Sequence, residues 1–450
     1  MYQRKALAIV VVAASALALT GCSAGASNGT DSNTIKVAYE DFGSNVINAY
    51  MESVKKDFEA ENKGAKAQLV PIKAAENDYY TKLSLMNRSA STAPDVLYED
   101  TFLIKSDASA GYLAPLDSYV SKWADWSQFY DNAKAAGQGE DGKTYGLSLG
   151  TDTRALWYNK DIFKKAGITV PWAPKTWADV MDAAKAVKAH VPGVTPINVF
   201  SGKAAGEATS MQGVEMLLYG TDDALVDESS GKWVTGSQGL TDSLSVIKDI
   251  YQGGLGLSPE VTSSSNYATI VGTELLPKGK LAIDLDGSWL SLNWLPTGGA
   301  PWAQWSDVMG QAPMPTQNGG DPASTSMSGG WTLSVGAKSK AKDLAWKFVS
   351  TGLNQKHSLE FDISETQIPV RKDVATDPKY TGSNPTSAFF SSLVAFTHFR
   401  PATTDYQKIS NEIQVATEAV MSGQSSPEAA AKAYDDALVG IVGKDHTVAK

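Results

Sequence analysis

Cysteine is almost missing from this chain: there is one, Cys22, in 450 residues. A single thiol excludes any intramolecular disulfide. The fold must therefore be held by its own cores, and a chain this long can bury two or three of them. Long apolar runs are missing too. The longest, Ala6 to Leu19, falls short of the roughly 20 residues a membrane-spanning helix needs, and no segment after Cys22 approaches that length. Basic charge is in deficit, with 39 Lys and Arg against 49 Asp and Glu and a net charge of −10. With no long basic run, this balance argues against nucleic acid or anionic lipid as a partner. Histidine is scarce as well. His190, His357, His398 and His446 are scattered and have no cysteine neighbours, which makes a zinc site built on close spacing improbable. There is no phosphate-cradling Gly-x-x-x-x-Gly-Lys-Ser/Thr loop, no His-Glu-x-x-His and no Gly-x-Ser-x-Gly elbow. Carboxylates are plentiful, so a glycoside-hydrolase pair stays open by counting alone, yet nothing singles one out. No repeat of 20 to 50 residues is visible, which argues against a solenoid or propeller. The expectation is a protein that is not an enzyme and takes no cofactor and no metal.

What is present begins at the N-terminus. Arg4 and Lys5 precede the apolar run, and Leu19-Thr20-Gly21-Cys22 closes it, the layout of a secretory signal. The pattern resembles the lipobox of bacterial lipoproteins, in which the cysteine sulfur receives a diacylglyceryl group and becomes the mature N-terminus. Residues 1–21 are then a signal peptide and 22–33 a lipidated flexible tether, rich in Ser, Gly, Ala and Asn with no hydrophobic period. The chain is expected at the extracytoplasmic face of the cell membrane, anchored rather than embedded. Losing Arg4 and Lys5 would leave the mature chain more acidic still.

From Thr34 onward the hydrophobic period alternates. Thr34 to Tyr39 reads as a strand, and Val46, Ile47, Tyr50, Met51, Val54 and Phe58 mark one helical face. Ala67 to Ile72 is a second strand, Tyr79, Tyr80, Leu83 and Met86 a second helix, and Asp95 to Tyr98 a third strand. This alternation predicts a parallel α/β sheet. Thr176 with Asp179 predicts a capping box at the head of a helix whose apolar face is Trp177, Val180, Met181, Ala184 and Val187. Leu281 to Leu285 and Trp331 to Val335 read as strands. The last sixty residues read as helices, with Ile409, Ile413, Ala416 and Val420 on one face and Pro427 at a helix start.

Several segments in order resemble the bacterial extracellular solute-binding proteins of carbohydrate ABC importers. They are Ala93-Pro94-Asp95-Val96, Ala110 to Asp117, Gly142 to Leu147, Leu156-Trp157-Tyr158-Asn159-Lys160, Phe163 to Ile168 and Pro174-Lys175-Thr176-Trp177. Gly279 to Ala282, Asp286-Gly287-Ser288-Trp289, Gly329-Gly330-Trp331, Ala345 to Phe348 and Gln367 to Arg371 continue the series. The resemblance implies an α/β, two-lobed periplasmic-binding-protein-like fold of type II, with a ligand cleft between lobes joined by crossing segments. Lobe one would take 34–148 and 306–352, and lobe two 149–305 and 353–450. It also implies a sugar ligand, the transmembrane subunits of an ABC permease as partners, and a monomer. A receptor for a non-sugar solute such as a glycerophosphodiester or polyamine is the alternative, with a secreted glycoside hydrolase and an adhesin behind it.

A sugar offers hydroxyls around its edge and flat C–H faces, so its site needs carboxylates and arginines in the plane and aromatics above and below. Ligands of α/β sheets lie at the carboxyl ends of strands. That rule selects Glu40 and Asp41, Glu99 and Asp100, and Asp152 and Arg154 in the turn after Gly150, although the last two could instead pair with each other. From the resemblance come Trp289 and Trp331 as stacking aromatics, one from each lobe, and Tyr79 on a helix lining the cleft. Trp302 and Trp305 lie in a loop containing Gly and Pro, where a core role is harder to arrange. Arg371 in Pro-x-Arg and Arg400 in His398-Phe399-Arg400-Pro401 offer forks for vicinal hydroxyls, or interlobe structural pairs. The Arg-Pro with Tyr406 downstream resembles a subgroup that binds glucosyl disaccharides.

Overall fold

A computed structural model describes residues 33–41 and 45–450; the expected signal peptide and Cys22 lie outside the described residues, as does the tether up to residue 32. The first elements form where the periodicity puts them. Thr34–Asp41 is a strand and Val46–Glu61 a helix, which buries the six residues of its marked face. Each such apolar side chain contributes about 1.5–3 kcal/mol when fully buried. Lys66–Lys73 and Val96–Asp100 flank the first strand, both parallel to it. The sheet then departs from the all-parallel expectation. Trp331–Val335 runs antiparallel between Val96–Asp100 and Gly146–Ser148, completing five strands. The reason is its direction of approach: it starts where the parallel strands finish, with Trp331 opposite Asp100.

The second sheet orders its four strands Met309–Ala312, Arg154–Asn159, Leu281–Gly287, Thr195–Asn198, and only the last pair is parallel. The capping box at Thr176 and Asp179 is present and opens the helix Trp177–His190. Its Trp177, Val180, Ala184 and Val187 share a core with Leu156, Ile197, Ile283 and Leu285. Tyr406–Met421 and Pro427–Val442 pack together and against Gln238–Tyr251. No helix of the described residues is long and apolar enough to cross a membrane.

Two of the expected boundaries move. Met309–Ala312 pairs with Arg154–Asn159 and so belongs to the second sheet, which places the return to the first sheet after residue 312 instead of at 306. Gln355–Ser364 stays with the first body, since its Phe361 ring meets Tyr50 edge-on at 5.1 Å and its His357 lies 3.1 Å from Asp57. Val370 also joins the first core. Strand pairing and side-chain docking decide these memberships, and neither is written in local periodicity.

Between the two bodies the crossing segments are bonded to one another. Thr151 and Ile368 exchange backbone hydrogen bonds of 2.9 and 2.7 Å, and the Thr151 hydroxyl donates to the Gly329 carbonyl at 2.8 Å. Gly330 has φ +144°, and a Cβ there would sit 2.5 Å from the Gly150 carbonyl oxygen. Only glycine fits both the conformation and the space. Gly330→Ala is therefore expected to lower unfolding stability by about 2 kcal/mol or more, read from the midpoint of a urea titration; an unchanged midpoint would show that the crossing tolerates a side chain.

Candidate functional site

The parallel strands of the first sheet end at Asp41 and Asp100, and the second sheet presents Arg154 at one strand's start and Asp286 near another's end. These ends converge beside the crossing segments. Ser326–Ser328 pairs with Thr397–Phe399 in parallel, which delivers Arg400 to the same place.

Arg400 is the bridge. Its Nη2 donates to Asp100 at 2.7 Å, its Nη1 lies 3.7 Å from Glu207, and its guanidinium stacks 4.2 Å from the Phe102 ring centroid. Asp100 also accepts from the Tyr80 hydroxyl at 2.8 Å and the Phe102 backbone N–H at 3.3 Å. On the far side, Glu207 accepts from the hydroxyls of Ser410 and Tyr406, and Glu215 accepts from Tyr406 at 2.5 Å. The Tyr406 ring meets Phe102 at 5.5 Å, so the two bodies touch here through aromatics as well as charges. Burial opposes the charge on Arg400, but Asp100 and Glu207 outweigh it and hold the proton firmly. Removing one partner of such a buried pair costs about 3–5 kcal/mol.

Glu40 stands beside this bridge. It is wholly buried and neither carboxyl oxygen has a hydrogen-bond partner. Burial pushes its carboxyl up to about 10, with Glu76 and Asp100 adding to the rise. Burial and then Asp100 raise Glu76 to about 7, against the Tyr80 hydroxyl that donates to it. Burial raises Glu215 to about 8.

A second pair lies close by. Arg154 bonds Asp152 and donates to the Met327 carbonyl at 3.2 Å, while Asp152 accepts from the Gly329 N–H at 2.8 Å. The Trp289 ring covers the Arg154 guanidinium at 4.5 Å. Gly287 makes room for that ring, since a Cβ there would stand 2.1 Å from it. Trp331 stacks on Tyr98 at 4.4 Å and meets Tyr79 and Tyr80 at 6.0 and 6.1 Å. A cavity of about 350 Å³ adjoins the crossing segments, with Thr101, Thr151, Gly329, Ile368 and Phe399 in its wall.

The structure thus brings together Glu40, Tyr79, Asp100, Asp152, Arg154, Trp289, Trp331 and Arg400. Others of the selected residues lie elsewhere. Asp41 is at its strand end, 3.8 Å from Lys73 on the neighbouring strand. Glu99 projects to the opposite face from Asp100, where burial and Asp107 keep its carboxyl protonated well above the usual range. Trp302 and Trp305 belong to a core with Trp157 and Trp294, at ring separations of 5.5 to 6.2 Å. Their loop folds back over the second sheet, so glycine and proline did not keep them out of a core. Arg371 is a structural clamp: it bonds Asp373, Asp125 and the Leu353 carbonyl, over the Phe129 ring.

Sequence reasoning did not select Glu76, Tyr80, Glu207, Glu215 or Ser410. Glu76, Tyr79 and Tyr80 stand at i, i+3 and i+4 on one helix face, a spacing that carried the signal. Tyr406, Ser410 and Gln414 repeat every four residues on another. Glu215 closes the π-helical stretch Thr209–Glu215, whose winding has no period to read. Asp100, Arg400, Glu207 and Asp152 with two flanking tryptophans form a surface for donors and acceptors on a flat-faced molecule.

Three kinds of likeness bear on this geometry. Residues 43–356 match the family profile of the bacterial extracellular solute-binding proteins. A Brucella abortus protein, named for binding alone, is 28% identical over 396 residues, 85% of this chain and 87% of its own length. The maltodextrin-binding protein of Bacillus subtilis is 25% identical over 383 residues, covering 81% and 80%. Among solved structures, the GacH receptor of Streptomyces glaucescens superposes with a TM-score of 0.76 at 24% identity, covering 91% of this chain and 98% of that one. A Thermotoga lettingae solute-binding protein bound with α-D-tagatose superposes at 0.78 and 22% identity, covering 91% and 100%.

The raised carboxyls give a pH dependence with a definite sign. In the unfolded chain a Glu titrates near its ordinary 4.5, whereas Glu76, Glu215 and Glu40 titrate near 7, 8 and 10 when folded. The folded state binds more protons over that range, so stability falls as pH rises through it. The ligand-free protein is expected to melt at a lower temperature at pH 8 than at pH 5.5, and Glu40→Gln to flatten the trend; calorimetric melting curves across this range check both.

Proposed function

Since the chain belongs to the bacterial extracellular solute-binding proteins, we propose that it is the sugar-capturing subunit of a carbohydrate ABC importer. It holds a mono- or oligosaccharide, with glucosyl disaccharides the first candidates, and passes it unaltered to the permease. The observation that carries this reading is the meeting of Asp100–Arg400 and Asp152–Arg154 with Trp289 and Trp331 where the two bodies join. Arginine forks and carboxylates suit sugar hydroxyls, and indole faces suit C–H faces. The naming of the Bacillus subtilis relative for maltodextrin supports the same ligand class.

In this reading the two bodies are lobes that open about the crossing at Thr151, Gly329 and Ile368 and close on the ligand. Arg400 then adds the ligand to its partners Asp100 and Glu207, and the closed state gains by whatever contacts both lobes share with the sugar. Cys22 carries the lipid that keeps a monomeric receptor beside its permease and raises their effective concentration.

Titration calorimetry against a panel of mono- and disaccharides tests the capture. At least one sugar is expected to bind at micromolar or better affinity, and failure of every carbohydrate while a peptide or metal complex bound would overturn it. Against the sugar that binds, Trp289→Ala is expected to raise Kd about tenfold or more with little change in melting temperature. Trp305→Ala is expected to do the reverse, lowering stability by about 3–5 kcal/mol with Kd kept. Cys22→Ser should leave binding by the purified protein intact and reduce uptake by cells; a loss of affinity in solution would contradict the tether.

A further inference from the structure

We propose that the ligand of this site carries a positively charged amine, received by Glu40, Glu76 and Asp100. The inference rests on the reading of the junction as the solute site and adds to it the charge of the solute. Four acids, Glu76, Asp100, Glu207 and Glu215, share the field of one guanidinium, that of Arg400, and a fifth, Glu40, adjoins Glu76 and Asp100. The other nearby cation, Arg154, is bonded to Asp152. Lys73, on the neighbouring strand, lies 3.8 Å from Asp41 and projects into solvent.

Glu40 supplies the independent sign that something is to be bound. It is fully buried on the face of its strand that looks toward Tyr79, and neither of its oxygens has a donor. One oxygen of Glu215 is in the same condition. A buried carboxylate without a partner is costly, and a protein normally removes such a group or pairs it.

A neutral hydroxyl can exchange a hydrogen bond with such an acid but leaves it protonated, as burial keeps it in the ligand-free protein. An ammonium brings three donors and a positive charge that lets the acid ionise beside it. The aromatic neighbours fit the same occupant: Tyr79, Tyr80 and Trp331 line the position with ring faces and edges, and an aromatic face attracts a cation over it. Tyr80 also shows how the donors would be shared, since its hydroxyl already reaches both Glu76 and Asp100. An amine seated among Glu40, Glu76 and Asp100 would stand opposite Arg400, one cation on each side of Asp100.

The test compares sugars that differ only in the amine. Calorimetry at about pH 6.5, where sugar amines are largely protonated, would pair cellobiose with its diamino counterpart chitobiose and trehalose with 2-amino-2-deoxytrehalose. N,N′-Diacetylchitobiose is the uncharged control of matching size, and spermidine the amine without a sugar. The amino member of a pair is expected to bind about tenfold tighter or more, and Glu40→Gln and Glu76→Gln are each expected to shrink that preference. Trp289→Ala is expected to weaken both members alike. Circular dichroism and melting temperature establish that each variant is folded, and Glu76, less buried than Glu40, gives a second readout should Glu40→Gln misfold. Equal or tighter binding of the neutral sugars would overturn the amine and leave the sugar receptor standing. Binding of spermidine with no sugar bound would retain the charge and overturn the sugar. Silence from all the amines would overturn the proposal, and the neutral panel would then judge the receptor on its own.

Discussion

A buried guanidinium is the constraint on which this molecule turns. Arg400 comes from the distal part of the chain, Asp100 from the end of an early strand, and their contact joins the two bodies. Around it the acids outnumber the bases, so the junction is held by protons as much as by ion pairs. Such a seam is strong only while it is shut and dry. Water admitted between the bodies would let the carboxyls ionise and repel, and the same groups that stabilise closure would then favour opening. A molecule that must bind and release gains from having those two tendencies built from one set of side chains.

The tryptophans divide along physical lines. Trp157, Trp294, Trp302 and Trp305 meet edge to face or tilted, never flat, as rings do when they fill a core. Trp289 and Trp331 instead lie flat, one against a guanidinium and the other against a tyrosine. In the proposed reading the flat contacts mark the rings that serve the ligand and the edge and tilted contacts those that fill a core, a division that sequence position does not show.

Much of the fold was legible in the chain. Helix faces such as Val46 to Phe58, and the Thr176–Asp179 cap, are local properties with a period or a fixed spacing. Pairing between distant strands is not local, so the antiparallel course of Trp331–Val335 and the place of Met309–Ala312 could not be read. The site shows the same division. Asp100, Arg400, Asp152 and Trp289 stand in recognisable strand ends or motifs, but that Asp100 meets Arg400 is a fact of three dimensions. Glu76 reads as an ordinary acid in a first helical turn, and Glu215 sits in a π-helical winding without a hydrophobic period. Arg371 stayed open between a ligand fork and a structural pair because a fork for hydroxyls and a fork for Asp373 and Asp125 are the same side chain.

The position of Trp331–Val335 inside the first sheet has a consequence for how the chain is made. It is an interior strand, flanked by Val96–Asp100 on one side and Gly146–Ser148 on the other. Until residue 335 has been delivered, the strands before it have an open edge, and their helices have only part of a core to pack on. Non-local pairing of this kind slows folding. The first sheet of this chain therefore cannot be completed until residue 335 of 450 has been delivered.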